Sequence, residues 1–160
     1  MRRFAVLALL ALAAPLQAKE SLGVFGDWGA FRSDRGTNCY AIAMPASSRL
    51  QRDHEPYVTI GTWPRRNVRG QVHLRLSRTI RNGTAIALQV GGKRFGLAGN
   101  GADAWAADRA MDAAIVAAMR SAGRMTVSAT DASGRRFSNT YTLDGASSAM
   151  DAATVACARR

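Results

Sequence analysis

The sequence has little of what builds disulfide miniproteins and metal centres: two of its 160 residues are cysteine, two are histidine and four are proline. Two cysteines permit one bridge, which excludes a disulfide-dense scaffold and a zinc site of the three- or four-cysteine kind. Aromatic residues make up 7%, and 11 acidic residues face 22 Lys and Arg, a formal charge of +11. With 48% hydrophobic residues the chain is too apolar for a disordered polycation, and its length suits one domain. Collagen, coiled coil and multi-span membrane protein are excluded by composition and patterning.

One long apolar run stands at the start. Arg2 and Arg3 precede an apolar stretch from Phe4 to Ala14, followed by Pro15 and the small residue Ala18. That order is a secretory signal, and the stretch is short of the roughly 20 residues of a spanning helix. No cysteine follows it to take a lipid. The expectation is a signal peptide over 1–18 and a single domain over 19–160, periplasmic or secreted after cleavage near Ala18, in an oxidising space.

Beyond that point short alternating segments are punctuated by glycine, a pattern of antiparallel strands. Strands are expected at Val24–Phe31, Cys39–Met44, Tyr57–Trp63, Gln71–Arg78, Ala85–Val90, Lys93–Leu97, Met125–Thr130 and Arg136–Thr142. In the fourth, Val72, Leu74 and Leu76 point to the core while Gln71, His73, Arg75 and Ser77 point to water. Gly91-Gly92 supplies a tight hairpin turn and Asp131-Ala-Ser-Gly134 a longer one. Met111, Ile115 and Met119 share one face of a helix from Asp108 to Ala122, capped by Asp108 and ended by Gly123. An alanine-rich helix from about Ser147 to Ala156 turns Met150, Ala153 and Cys157 inward; it is too short to stand alone in water. The fold class is mainly β: an antiparallel β-sandwich or barrel-like domain with one inserted helix and a C-terminal helix.

A bridge between Cys39 and Cys157 would fasten that terminal helix to an early strand. The competing reading, a reactive thiol at Cys157, has no thiolate-activating neighbour in the sequence and no Cys-x-x-Cys partner.

Phe25-Gly-Asp-Trp28 shortly after the signal, Cys39, the Gly92-Lys-Arg-Phe95 hairpin, Ala104-Trp-Ala106 before a helix, and Leu143-x-Gly145 leading to Cys157 occur in this order. In that order the chain resembles the invasion-associated locus B family of bacterial secreted proteins, over nearly all of the mature length. The resemblance implies a β-rich envelope or exported protein with no enzymatic activity and no catalytic residues. Many members carry additional cysteines; two here mark a divergent branch, for which an invasion role is not implied.

The densest chemical feature is basic: Arg65, Arg66, Arg69, Arg75, Arg78 and Arg81, with His73 among them and Trp63 beside them. Clustered guanidiniums attract polyanions and grip phosphate or sulfate through two parallel N–H bonds. The partners this implies are anionic envelope components (lipopolysaccharide, acidic glycan or anionic lipid) or extracellular nucleic acid, or else a protein. The bland alternative is a solvated arginine-rich surface.

Other chemistry is weakly supported. Asp53-His54-Glu55 lacks the spacing of metal ligands. No Gly-x-Ser-x-Gly elbow accompanies either histidine. Gly96-Leu-Ala-Gly99-Asn-Gly101 has neither dinucleotide spacing nor a Walker lysine and reads as a turn. Trp28, Trp63 and Trp105 read as core or rim packing. No catalytic residue, metal or cofactor is expected. The expected function is non-enzymatic binding at the cell envelope, with a hydrolase of unrecognised site and a periplasmic inhibitor or chaperone-like module as alternatives.

Overall fold

A computed structural model describes residues 19–33, 36–47 and 52–158; the signal-like segment 1–18 lies outside them. The strands are β1 (Glu20–Phe25), β2 (Trp28–Arg32), β3 (Cys39–Ala43), β4 (Tyr57–Trp63), β5 (Val68–Arg75), β6 (Ile86–Val90), β7 (Lys93–Asn100), β8 (Asp103–Trp105), β9 (Arg124–Thr130) and β10 (Arg136–Thr142). Helix α1 (Arg109–Met119) sits between β8 and β9, and α2 (Ala146–Ala158) ends the described chain. The strands form one antiparallel sheet in the order β1-β2-β3-β4-β5-β8-β7-β6-β9-β10. The domain is thus mainly β, antiparallel, with an inserted and a C-terminal helix, as the alternation indicates.

β7 carries the sheet from one half to the other. Its first part, Lys93 to Leu97, pairs with β6, and its end, Ala98 to Asn100, with β8. The open sheet curls until β10, at one end of the order, lies against segments from the other half. Ala46 N–H donates to the Thr140 carbonyl at 2.8 Å. The Asn139 side chain accepts from Ser77 N at 3.1 Å and donates to Ser77 Oγ at 2.9 Å. Trp28 Nε1 donates to the Thr142 carbonyl at 3.0 Å. Trp28, Val58, Val72, Leu74, Leu88, Val127 and Tyr141 fill the interior so formed.

Both helices cover the sheet through small or apolar faces. α2 lies on β1 to β4, where Ala30, Ala41 and Ala43 leave room for Ala146, Ala149 and Ala153 to come close. The Cys39–Cys157 disulfide joins this helix to β3, with Cα atoms 5.8 Å apart. α1 is started by Asp108, whose carboxylate accepts from Met111 N at 2.8 Å, the capping role its position suggests.

Several boundaries differ from the sequence reading. The expected strand Val24–Phe31 is two strands joined by a turn at Gly26-Asp27, where Gly26 takes φ +54°. β5 begins earlier and ends at Arg75; Ser77, expected on the wet face, is buried with Asn139. The glycines at 96 and 99 lie within β7 and not in a turn. A Cβ on Gly99 would stand 2.3 Å from Ile86 Cδ1 and 2.8 Å from the Asp103 carbonyl, so glycine here permits close strand packing. The turn falls at Gly101-Ala102, and the short β8 follows it.

One buried carboxylate holds α1 to the sheet. β8 pairs with β5 only at His73, Leu74 and Arg75; Val72 N–H instead donates to Asp112 Oδ1 at 2.8 Å. Burial pushes the Asp112 carboxyl above its usual range; the Val72 bond works the other way and the nearby Asp108 charge adds to the rise. A carboxyl raised in the folded state binds its proton there more tightly than in the unfolded chain. Its contribution is therefore greatest below the unfolded pKa and diminishes as pH rises through the raised value. Asp112→Asn keeps an acceptor for Val72 and is expected to be at least as stable as wild type at neutral pH. Asp112→Ala orphans the Val72 N–H and is expected to lower stability by about 1–3 kcal/mol. Urea melts of both variants at pH 7 check this; equal losses would show that the acceptor is not what matters.

Candidate binding surface

Strand alternation gives β2 to β5 and β8 an inner face, covered by core and helices, and an outer face. Register places Gly29, Ile42, Thr59, His73 and Trp105 in one outer row. Phe31, Tyr40, Gly61 and Gln71 form the next. Aromatic rings lie down on the glycines of this face. A Cβ on Gly61 would be 2.5 Å from the Trp63 ring and one on Gly29 2.7 Å from the Phe31 ring; the like approach of Phe25 to Gly23 in β1 falls on the inner face, where Gly23 pairs with Ala30 and Phe25 with Trp28. Each ring stands two residues after its glycine, the spacing of one strand face. Further rings extend the surface: Phe31 and Tyr40 centroids are 5.9 Å apart, Tyr57 meets His73 edge-on at 5.8 Å, and His73 stacks on Trp105 at 5.3 Å.

The seven basic residues expected to act together are divided by the fold. Arg65 and Arg66 lie on a short 3₁₀ turn, Pro64–Arg66, directly after Trp63, and Arg69 follows in β5. All three are exposed, and among the described residues none forms an ion pair. Arg75 and His73 both reach Asp103, at 2.5 and 2.9 Å. Arg75 also donates to His54 Nδ1 at 3.3 Å. Arg78 is held by the buried Asp131 at 2.6 Å. Asp131 lies below the usual carboxylate range because the Arg135 N–H donates to it, with Arg78, the Arg135 charge and the Ser133 N–H acting in the same sense. Arg81 is exposed, beside the turn at Gly134. Of the seven, Arg65, Arg66 and Arg69 in the hairpin after Trp63 and the separate Arg81 are thus exposed without an ion pair among the described residues, while Arg75 and Arg78 brace the structure.

The geometry also bears on nucleophilic chemistry. His54 Nε2 lies 3.1 Å from the Thr79 hydroxyl. A guanidinium only donates, so the bond from Arg75 makes His54 Nδ1 the acceptor and leaves the neutral ring's proton on Nε2. In that tautomer Nε2 donates to Thr79 and does not take its proton. No group of three or more His, Cys, Asp and Glu suited to a metal occurs among the described residues.

The sequence reading reached the arginines, His73 and Trp63 but missed Tyr40, Tyr57 and the face they share. The available signal was the glycine-x-aromatic spacing at 29/31 and 61/63.

These features define a class of domain: a curled antiparallel sheet, clasped by a disulfide-tethered terminal helix and presenting an aromatic outer face. The crystal structure of invasion associated protein B from Bartonella henselae is similar to it, with a TM-score of 0.58 and 17% sequence identity over 86% of this chain and 96% of that one. The two share a fold. No protein-family model matches the chain, and no curated protein matches it by sequence. Among the described residues no helix is long and apolar enough to cross a membrane.

Proposed function

We propose that this chain is an exported cell-envelope protein of the invasion-associated locus B kind, which works by binding and not by catalysis. On this reading the hairpin arginines attract anionic envelope components such as lipopolysaccharide, acidic glycan or anionic lipid. The signal-like residues 1–18, the disulfide and the shared fold support the envelope assignment.

The observation that carries the binding reading is the contrast among the arginines. Arg75 and Arg78 are neutralised by Asp103 and Asp131, whereas Arg65, Arg66 and Arg69, all in the β4–β5 hairpin, are exposed without a carboxylate partner among the described residues. Uncompensated guanidiniums beside an aromatic surface keep their field for a ligand.

The experiment compares the protein with the Arg65→Ser/Arg66→Ser/Arg69→Ser variant on lipopolysaccharide-coated surfaces and on vesicles containing anionic lipid. Near an anionic surface each basic side chain contributes about 1 kcal/mol, so three account for roughly a hundredfold in affinity. The expected result is a loss of that order with an unchanged melting temperature. Equal binding by both proteins would remove the arginines from the site.

A further inference from the structure

We propose that the hollow on the outer face of β3, β4 and β5 is a site for an acidic sugar, a pyranose unit bearing a carboxylate or phosphate. The inference rests on the polyanion reading above and names the ligand chemistry of the same surface. The hollow has a volume of about 360 Å³, within the range of small-molecule sites. Its lining combines three kinds of group that a charged sugar requires.

The first is a flat apolar floor. The Trp63 ring lies over Gly61, Tyr57 stands at the other end of the same strand, and Tyr40 on the neighbouring β3, with Ile42 between the two tyrosines in the register. A pyranose has a face of C–H groups that seats against such rings, where burial of both apolar surfaces is favourable. The second is a set of short polar groups for the equatorial hydroxyls: the Tyr40 and Tyr57 hydroxyls, Thr59, Asn38 and the His73 ring all belong to the lining. The third is charge of one sign. Lys19 lines the hollow, no carboxylate does among the described residues, and Arg65 and Arg66 follow Trp63 in the chain. Asp103, the acid nearest in the register, is taken up by Arg75 and His73.

The rings lie along the sheet and half-buried, so each offers one face and none stands clear to be sandwiched. A hydroxyl-lined hollow with a single lysine suits one ring with one anionic group better than a strand of stacked bases, which calls for a basic groove tracking many phosphates. Single-stranded nucleic acid is accordingly the competing ligand in the test.

The experiment follows the three indole N–H resonances of the full chain during titration with oligogalacturonate, a neutral galacto-oligosaccharide, inorganic polyphosphate and single-stranded DNA. Trp28 is an internal reference, because its indole is buried and bonded to the Thr142 carbonyl. The expected result is that oligogalacturonate moves the Trp63 resonance, the neutral sugar does so more weakly, and Trp28 stays still. Tyr57→Ala should weaken oligogalacturonate about tenfold while leaving polyphosphate binding unchanged. Trp63→Ala should act likewise; if it fails to fold, the Tyr57 variant and the titration still decide. Oligogalacturonate binding that is indifferent to both ring variants overturns the sugar site and leaves simple attraction by arginine. Movement of Trp63 by DNA and not by oligogalacturonate overturns it in favour of a base-stacking surface. Polyphosphate binding without oligogalacturonate binding overturns the inference alone, whereas no binding of either ends the polyanion reading as well.

Discussion

Replacing both bridged cysteines, Cys39→Ala with Cys157→Ala, is expected to destabilise the protein by about 4–5 kcal/mol, one of the two largest single-site effects the fold contains. The bridge spans 118 residues of sequence, so nearly the whole domain lies inside the loop it closes, and the unfolded chain gains correspondingly more freedom when it is cut. For a domain of this size that is a fall of roughly 10–20 °C in melting temperature. The folded state loses as well. α2 meets the sheet mainly through alanines, which bring the backbones close but bury little area each. Its last turn is held by the disulfide and by Arg32 Nη2, which donates to the Ala156 carbonyl at 2.8 Å. Limited proteolysis of the double variant should therefore cut first within α2. Unchanged denaturation midpoints in oxidising and reducing buffer would show that packing alone suffices.

The second large effect is expected at Gly145, and its reason is backbone and not side chain. Gly145 has φ +80°, and a Cβ placed on it would stand 1.8 Å from the Phe25 carbonyl oxygen and 2.3 Å from its carbon. Neither obstacle can swing aside, because both belong to the β1–β2 turn. Gly26 in that turn is equally constrained, since its own Cβ would be 2.7 Å from the Asp144 carbonyl. Trp28 and Asp27 complete the joint through bonds to the Thr142 carbonyl and hydroxyl. Gly145→Ala combines left-handed strain of about 1–2 kcal/mol with overpacking of about 1–3 kcal/mol, a total of roughly 2–5 kcal/mol. Gly92→Ala is the control. Nothing lies within 4 Å of its Cβ, and it should change stability by less than about 0.5 kcal/mol. Similar melts for the two variants would contradict the close approach at Gly145.

That joint brings together two segments far apart in sequence. Phe25-Gly-Asp-Trp28 and Leu143-x-Gly145 are the two sides of one contact, at the start of α2. Their chemistry was legible separately, as a glycine turn and a glycine before a helix; that they touch was not. The alternation of Val72, Leu74 and Leu76 and the inward face of Met150, Ala153 and Cys157 were equally legible, because a repeating burial pattern leaves a repeating sequence. β8 was not, since three residues are too few to show a period.

The candidate site was half legible. Local density singled out the arginines, but their division depends on acids distant in sequence: Asp103 for Arg75 and Asp131 for Arg78. Asp112 was passed over for the same reason, because its partner, Val72 N–H, lies on another element. The glycine-x-aromatic spacing marks parts of the aromatic face, and register completes it by setting Tyr40 beside Gly61 and the Trp63 ring above it.

The central claim is that Arg65, Arg66 and Arg69 form the working charge of an envelope-binding surface. The measurement that tests it most directly is the affinity for lipopolysaccharide across a salt series, for the protein and for the variant with those three arginines changed to Ser. A ligand held by guanidinium–phosphate contacts gives a steep linear fall of log affinity with log salt, and each lost contact flattens it by close to one unit. The account requires a steep slope for the protein and a slope shallower by about 2–3 for the variant. Identical slopes, or affinity indifferent to salt, would contradict it.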